Sequence, residues 1–406
     1  FLSALCLLLA LAPQGARAED AVAKDPRVEE AIQKGVGYLL QSYAGKNALS
    51  TRPEKELVLY ALLCGGVKPD HPLFQEVLPA IATEAPTTIY NVSIGLMLMH
   101  HLDPAQYRLE IARGASFLVQ NQSSSGLWDY HGATVPLRSD YEAYERKAPC
   151  LVYEVGSWTK GEPRPGVEPS HRLVAKKLKG FKIPPQEKAR NGIGDTSNTQ
   201  YALLGLRAAA ESGCLIPEQT WAKALAAMKR CQKKDGGVTY GKAGAGINPD
   251  GNFAMTVAGI ASIAICEFYL KRDAREDPLF KNAVSFVGKE FKLSKATSSN
   301  KEARHSIDYY TLYGLERAGT FCQLKKFGDH DWYSEGVQWL LERPRPDGSW
   351  MDPEAGVWGG GKVRINISSQ INTAFALLFL KRSTVPLIPE NKRKEGQRYD
   401  IEELAE

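Results

Sequence analysis

The feature that most constrains this chain is a sixfold alternation of two kinds of helix-period segment. Each unit begins with an amphipathic segment carrying an aromatic–leucine pair. A turn rich in Gln, Asp and Gly follows, and then a segment that is apolar nearly all round. The spacing predicts helix pairs at Val28–Gln41 with Lys55–Cys64, Pro72–Thr83 with Thr88–His101, and Leu109–Gln122 with Ser197–Glu211. Three more pairs follow: Pro217–Gln232 with Pro249–Tyr269, Pro278–Phe291 with Ser306–Cys322, and Trp332–Glu342 with Ser369–Lys381. A helix that is apolar on every side must be covered on every side, so the second member of each pair belongs to an inner layer. Tyr201–Leu206 and Thr373–Leu380 are the clearest examples. The expected fold is therefore all-α, an (α/α)6 toroid of six inner and six outer helices with a long insertion in the third repeat. An open solenoid is the alternative.

Capping signals orient the inner helices. Ser197 with Gln200 reads as a capping box, Gly213 as a C-terminal stop, and Asn248-Pro249 and Ser306 as helix starts. Since every inner helix follows an outer one, the inner N-termini are expected at one mouth. That would bring Asp195, Asp250 and Asp308 together.

The chain divides further by composition. Leu5–Leu11 followed by Pro13, Gly15 and Ala16-Arg17-Ala18 has the apolar core and small-x-small pattern of a secretory signal, so residues 1–18 are expected to be a signal and the location secreted, periplasmic or envelope. Residues 19–385 are expected to form the toroid, with the insertion at about 130–194, and 386–406 a charged tail or linker. After Cys6 six cysteines remain, without a CxxC, and most lie in apolar helical runs. They read as buried thiols, with Cys214 and Cys231 the one pair close enough in pattern to check for a bridge. The net charge of +5 is spread along the chain with no aromatic-interleaved basic patch, which argues against nucleic acid. No internal apolar run reaches the roughly 18 residues of a transmembrane span.

Several motifs carry a family resemblance. Gln122-x-x-x-Gly126-x-Trp128 resembles the QW repeat of squalene–hopene cyclases, with a partial copy at Gln232-x-x-x-Gly236 and another at Asp347-Gly348-Ser349-Trp350. Pro249-Asp250-Gly251-Asn252-Phe253 and Asp308–Leu315 resemble segments of protein prenyltransferase β-subunits. From about Val28 to Lys381 the chain is similar to secreted bacterial members of this prenyltransferase and squalene-cyclase repeat superfamily. The resemblance implies a toroid with a cavity for an isoprenoid. It also implies a zinc site of Asp, Cys and His, for which this chain offers Asp250, Asn252 and Tyr310. An amide and a phenol are poor zinc ligands, so no metal or other cofactor is expected, with His305 as the one substitute ligand. The DxDD acid of class II cyclases and the DDxxD of class I enzymes are both missing. Asp329-His330-Asp331-Trp332 reads as a helix cap, and acids in first turns are expected to have lowered pKa values.

The expected function is a binding or scaffold role through the toroid mouth, with Trp128, Asp195, Asn198, Asp250, Asn252, Asp308, Tyr309 and Tyr310 as binding candidates. The alternatives are an enzyme acting on an isoprenoid, or on a polysaccharide with Asp195 and Asp308 as a carboxylate pair, Asp129 and Asp140 near them, and Trp128, Tyr309 and Tyr310 stacking on sugar rings. The insertion is expected to cover the mouth, either as a lid presenting Tyr141, Tyr144, Arg146, Tyr153 and Trp158 or as a docking site for a protein partner.

Overall fold

The computed structural model describes residues 25–133, 156–157, 173–174, 181–188, 190–241, 251–293, 308–351, 368–384 and 387. The signal segment, most of the insertion, Asp140, Cys150, Asp250, His305 and all of the tail but Leu387 lie outside them. Leu387 is buried in the core.

Among the described residues there are twelve α-helices. They are α1 (Pro26–Ser42), α2 (Lys55–Cys64), α3 (Pro72–Thr83), α4 (Ile89–Leu102), α5 (Arg108–Gln120) and α6 (Thr196–Glu211). The second half comprises α7 (Glu218–Cys231), α8 (Phe253–Tyr269), α9 (Pro278–Glu290), α10 (Tyr309–Phe321), α11 (Trp332–Leu341) and α12 (Ser369–Leu380). A short antiparallel ladder of β1 (Gly156–Ser157) and β2 (Leu173–Val174) falls within the insertion.

The even-numbered helices are the inner layer. In α6 every residue from Thr196 to Ala209 is buried, and α8 is buried from Met255 to Glu267. The odd-numbered helices bury one stripe, as in α1 with Val28, Ile32, Gly35, Val36 and Leu39. This is the spacing that lets one helix face pack while the other stays wet. Neighbouring inner helices pack in the order α2, α4, α6, α8, α10, α12, and α12 packs back onto α2. The ring is closed. An open superhelix would leave α12 and α2 apart.

At the seam, α1 packs on both α11 and α12. Trp350 sits in this junction, its indole Nε1–H donating to Leu340 O at 3.0 Å, and Gly35 of α1 leaves the room its ring needs. The Tyr38 hydroxyl bonds Ser369 Oγ at 2.5 Å across the same junction.

One turn is built three times between the layers. The backbone N–H of Trp128, Val238 and Trp350 donates to Thr199, Thr256 and Thr373 Oγ1 at 3.0, 2.8 and 3.0 Å, fastening each turn to the following inner helix. In two of the turns a glutamine ties the loop to the next outer helix. Gln122 Nε2 donates to Gly126 O and Thr220 O, both at 3.0 Å, and Gln232 Nε2 donates to Gly236 O at 3.0 Å and Leu279 O at 2.7 Å. Gly236 has φ +95°, and a β-carbon there would collide with the Asn282 carbonyl of α9. Gly236→Ala is therefore expected to cost about 1–3 kcal/mol. A denaturant titration that leaves the midpoint unchanged would contradict this packing.

The helix starts differ from the expected ones. The caps are Asp195 for α6, Asn252 for α8 and Asp308 for α10, each side chain accepting the backbone N–H three residues on. Ser197 is therefore inside α6 rather than its cap, because the Asp195 carboxylate takes the Asn198 N–H at 2.7 Å. A capping carboxylate also suits the positive end of the helix better than a hydroxyl. Gly213 does end α6, with φ +91°. Cys64, Cys214, Cys231, Cys266 and Cys322 are free thiols, so Cys214 and Cys231 are not bridged. Burial pushes the Cys64 and Cys214 thiols up to about 12, so both keep their protons at neutral pH. No helix among the described residues is long and apolar enough to cross a membrane.

Candidate functional site

The first turns of the inner helices meet across the ring axis. Tyr90 of α4 bonds Ser197 of α6, and Ser197 Oγ bonds the hydroxyl of Tyr310 of α10 at 2.7 Å. Gln200 Nε2 donates to the same Tyr310 hydroxyl, and its Oε1 accepts from Arg317 Nη2 at 2.9 Å. In the ring, α4 stands opposite α10, so this chain of bonds crosses the lumen.

The aromatic rings follow the same course. Tyr90 and Tyr201 have centroids 4.4 Å apart, Tyr201 and Tyr310 lie 6.3 Å apart, and Tyr310 meets Phe375 of α12 edge-on at 5.8 Å. Burial raises the Tyr90, Tyr201, Tyr310 and Tyr313 phenols above their ordinary range, so all four are neutral donors at physiological pH. Above them, exposed Tyr130 stacks over Tyr90 at 6.3 Å, and its hydroxyl bonds that of Tyr240.

The predicted site residues separate into two groups. Asp195, Asp308 and Tyr310 do share one end of the ring: Asp195 raises the phenols of Tyr90 and Tyr240, and Asp308 raises that of Tyr201. Trp128 and Tyr309 instead face the outer layer. Trp128 is fully buried with its Nε1–H on Leu118 O at 2.7 Å, and Tyr309 packs edge-on against Trp339 at 5.3 Å. Packing between layers occupies both rings, so neither is offered at the mouth. Asn252 spends its Oδ1 on the Met255 N–H at 3.1 Å, and Asn198 is wholly buried with its Nδ2 on Asp195 Oδ2 at 2.7 Å.

One electrostatic expectation is reversed. Asp195 is buried, and the loss of solvent pushes its carboxyl up to about 6. The two hydrogen bonds from Asn198 pull down but do not compensate, and Asp129 adds to the rise. Desolvation outweighs the helix terminus here. Asp308 keeps an N-cap role, its Oδ1 accepting the Thr311 N–H at 2.8 Å and the Thr311 hydroxyl at 2.6 Å.

Tyr90, Gln200, Tyr201, Tyr313, Arg317 and Phe375 join the lumen without having been named as site residues from the sequence, where Gln200 was read as part of a cap and Tyr201 and Phe375 as parts of inner helices. A signal for part of the set was present: Tyr310, Tyr313 and Arg317 lie at i, i+3 and i+7 on one face of a helix whose one other charged residue is Glu316. Among the described residues no group of three or more His, Cys, Asp or Glu side chains is placed to hold a metal ion.

No family model matches the chain, and no curated protein matches it. Among solved structures it is similar to a variant of the type II terpene cyclase MstE from Scytonema in complex with its product, merosterolic acid A. That match has a TM-score of 0.48 and 13% identity, over 88% of this chain and 97% of that one. A second MstE variant, bound to its substrate geranylgeranyl dihydroxybenzoate, matches with the same TM-score of 0.48, identity of 13% and coverage of 88% and 97%. A protein from Actinoplanes matches with a TM-score of 0.45 and 15% identity, over 88% of this chain and all of that one.

Proposed function

We propose that this is a binding protein whose ligand, an amphiphile with an isoprenoid-like apolar body, enters the mouth and lies along the tyrosine-lined axis of the ring. The observation that carries this reading is the set formed by Tyr90, Tyr201, Tyr310 and Phe375 together with Ser197 and Gln200. An axis serving only as core would be filled with aliphatic side chains free of polar atoms. Neutral phenols, a hydroxyl and an amide gathered with aromatic rings on one axis instead offer apolar area and a few orienting hydrogen bonds, the usual make-up of a small-molecule site.

The catalytic alternatives have less support. A carboxyl at about 6, as in Asp195, is too weak an acid to protonate an alkene, and both of its oxygens already accept bonds from Asn198. For a polysaccharide, two of the three expected stacking rings, Trp128 and Tyr309, are committed to interlayer packing. The reading includes export to the envelope, on the strength of the signal-like segment at 5–18. The reading keeps the insertion as a docking site for a protein partner, on the strength of its length in the sequence alone.

A fluorescence titration with geranylgeraniol, run beside one with cellohexaose, tests the proposal. Saturable binding of the isoprenoid alcohol alone is expected, weakened about tenfold or more by Tyr310→Ala, since such a contact is worth about 1.5 kcal/mol. Binding of the sugar alone would favour the polysaccharide reading. Binding of neither would remove the proposal.

A further inference from the structure

Arg317 is 0% exposed, and its guanidinium is incompletely partnered. Nη2 donates to Gln200 Oε1 at 2.9 Å, while Nε and Nη1 have no hydrogen-bond acceptor among the described residues. The flat faces of the group are covered by aromatic rings, Tyr313 at 4.1 Å and Tyr201 at 5.0 Å from the ring centroids. The Tyr201 phenol is raised by burial, with the guanidinium's charge and a side-chain contact with it pulling the other way, and the Tyr313 hydroxyl is buried without a partner among the described residues.

No described carboxylate lies within ion-pair distance of this cation. Glu316 is next to it in sequence, but its carboxyl is turned to Thr384, accepting the backbone N–H at 3.0 Å and the hydroxyl at 2.5 Å. Arginine cannot shed its proton to escape burial, as lysine or histidine would. Rings contribute cation–π attraction, yet this does not replace the acceptors that a desolvated guanidinium requires. The arrangement is that of a cation waiting for an oxyanion.

We propose that Arg317 anchors the anionic end, a carboxylate or phosphate, of the ligand that occupies the lumen, with the Tyr313 hydroxyl as a second donor. This rests on the lumen-binding reading above and adds to it the chemical class of the ligand's polar end. The route is marked by side chains. Tyr90 and Tyr310 are half-buried at the mouth, Gln200 links Tyr310 to Arg317, and Arg317 lies seven residues along α10 from Tyr310, about 10 Å deeper. A ligand would thus enter polar end first and leave its apolar body among the tyrosines.

Isothermal titration of the full chain with geranylgeranic acid, geranylgeranyl monophosphate and geranylgeraniol separates this proposal from the one it rests on. Wild type is expected to bind at least one of the two anions about tenfold or more tightly than the alcohol, the gain of a charge-assisted contact. The tighter of the two anions identifies the source. Arg317→Gln should bring anion and alcohol to parity, and Arg317→Lys, which keeps the charge, should retain part of the preference. Should the glutamine variant melt before binding can be measured, the lysine variant and the wild-type contrast decide. Equal binding of all three by wild type would overturn the anchor and leave the lumen reading standing. An anion preference unchanged in either variant would overturn it too. Binding of none would overturn both.

Discussion

Trp350→Ala is expected to lower the stability of the ring by about 3–5 kcal/mol, the usual cost of emptying a fully buried tryptophan site. The loss should be felt at the seam in particular. Trp350 is 0% exposed and bonds Leu340 O through its indole, and its backbone N–H is held by Thr373 of α12. Its ring lies against Gly35 of α1, where a β-carbon would come within 2.7 Å of it. The neighbouring turn is equally tight: a β-carbon on Gly348, which has φ +83°, would come within 2.6 Å of Lys34 O. Hydrogen exchange on the variant should therefore show faster opening of α1 and α12 than of α6 and α8. Uniform loss of protection, or a stability change below about 1 kcal/mol, would mean that the seam does not depend on this side chain.

Glu316→Gln is expected to remove most of a stability loss that the wild type suffers as the pH rises from about 5 to 8. The Glu316 carboxyl is fully buried in α10, and desolvation pushes it up to about 7, with the Thr384 hydrogen bonds pulling the other way. A carboxyl raised in the fold holds its proton in the native state where the unfolded chain has already lost it. Its contribution is thus complete below the unfolded value of 4.5 and disappears as the pH rises through about 7. The rise corresponds to about 3 kcal/mol at most. Glutamine preserves the shape, and an amide can still accept from the Thr384 N–H and donate to its hydroxyl. At pH 8 the variant should be the more stable protein, with the two converging near pH 5. Glu56 of α2, raised to about 7 by burial, will leave a residual slope in both. Chemical denaturation across this pH range gives the result directly, and a slope identical in wild type and variant would count against a protonated Glu316.

How much of this was legible in the chain depends on which residues had to meet. The helix pairs were legible because each carries its own signal. Apolar residues on one stripe mark an outer helix, apolar residues all round mark an inner one, and the turns between them hold Gly236 and Gly348 at positive φ. Cap choice was less legible. Ser197 and Asp195 both suit a helix start, and only their surroundings show that the serine hydroxyl is taken by Tyr90 and Tyr310.

Trp128 and Tyr309 illustrate the limit at the site itself. An aromatic residue next to a helix start can face the axis or the outer layer, and the difference is a rotation of about 100° along the helix. For Tyr309 and Tyr310, adjacent in sequence, the structure sends one outward against Trp339 and the other inward to Gln200. Asp195 shows the same limit in electrostatics. Its place at a helix N-terminus pointed to a lowered carboxyl, but the degree of burial, set by the surrounding chain, decided the sign.

Periodicity and composition by themselves determined that the toroid is built of helices, that it has an inner and an outer layer, and how many helix pairs the described residues hold. These are properties of segments a few turns long, where each residue's surroundings are set by near neighbours. Closure of α12 onto α2, the course of the tyrosine network and the isolation of the Arg317 charge were decided only in the tertiary structure. Each depends on side chains from helices a hundred or more residues apart reaching one axis, and no local pattern encodes that meeting.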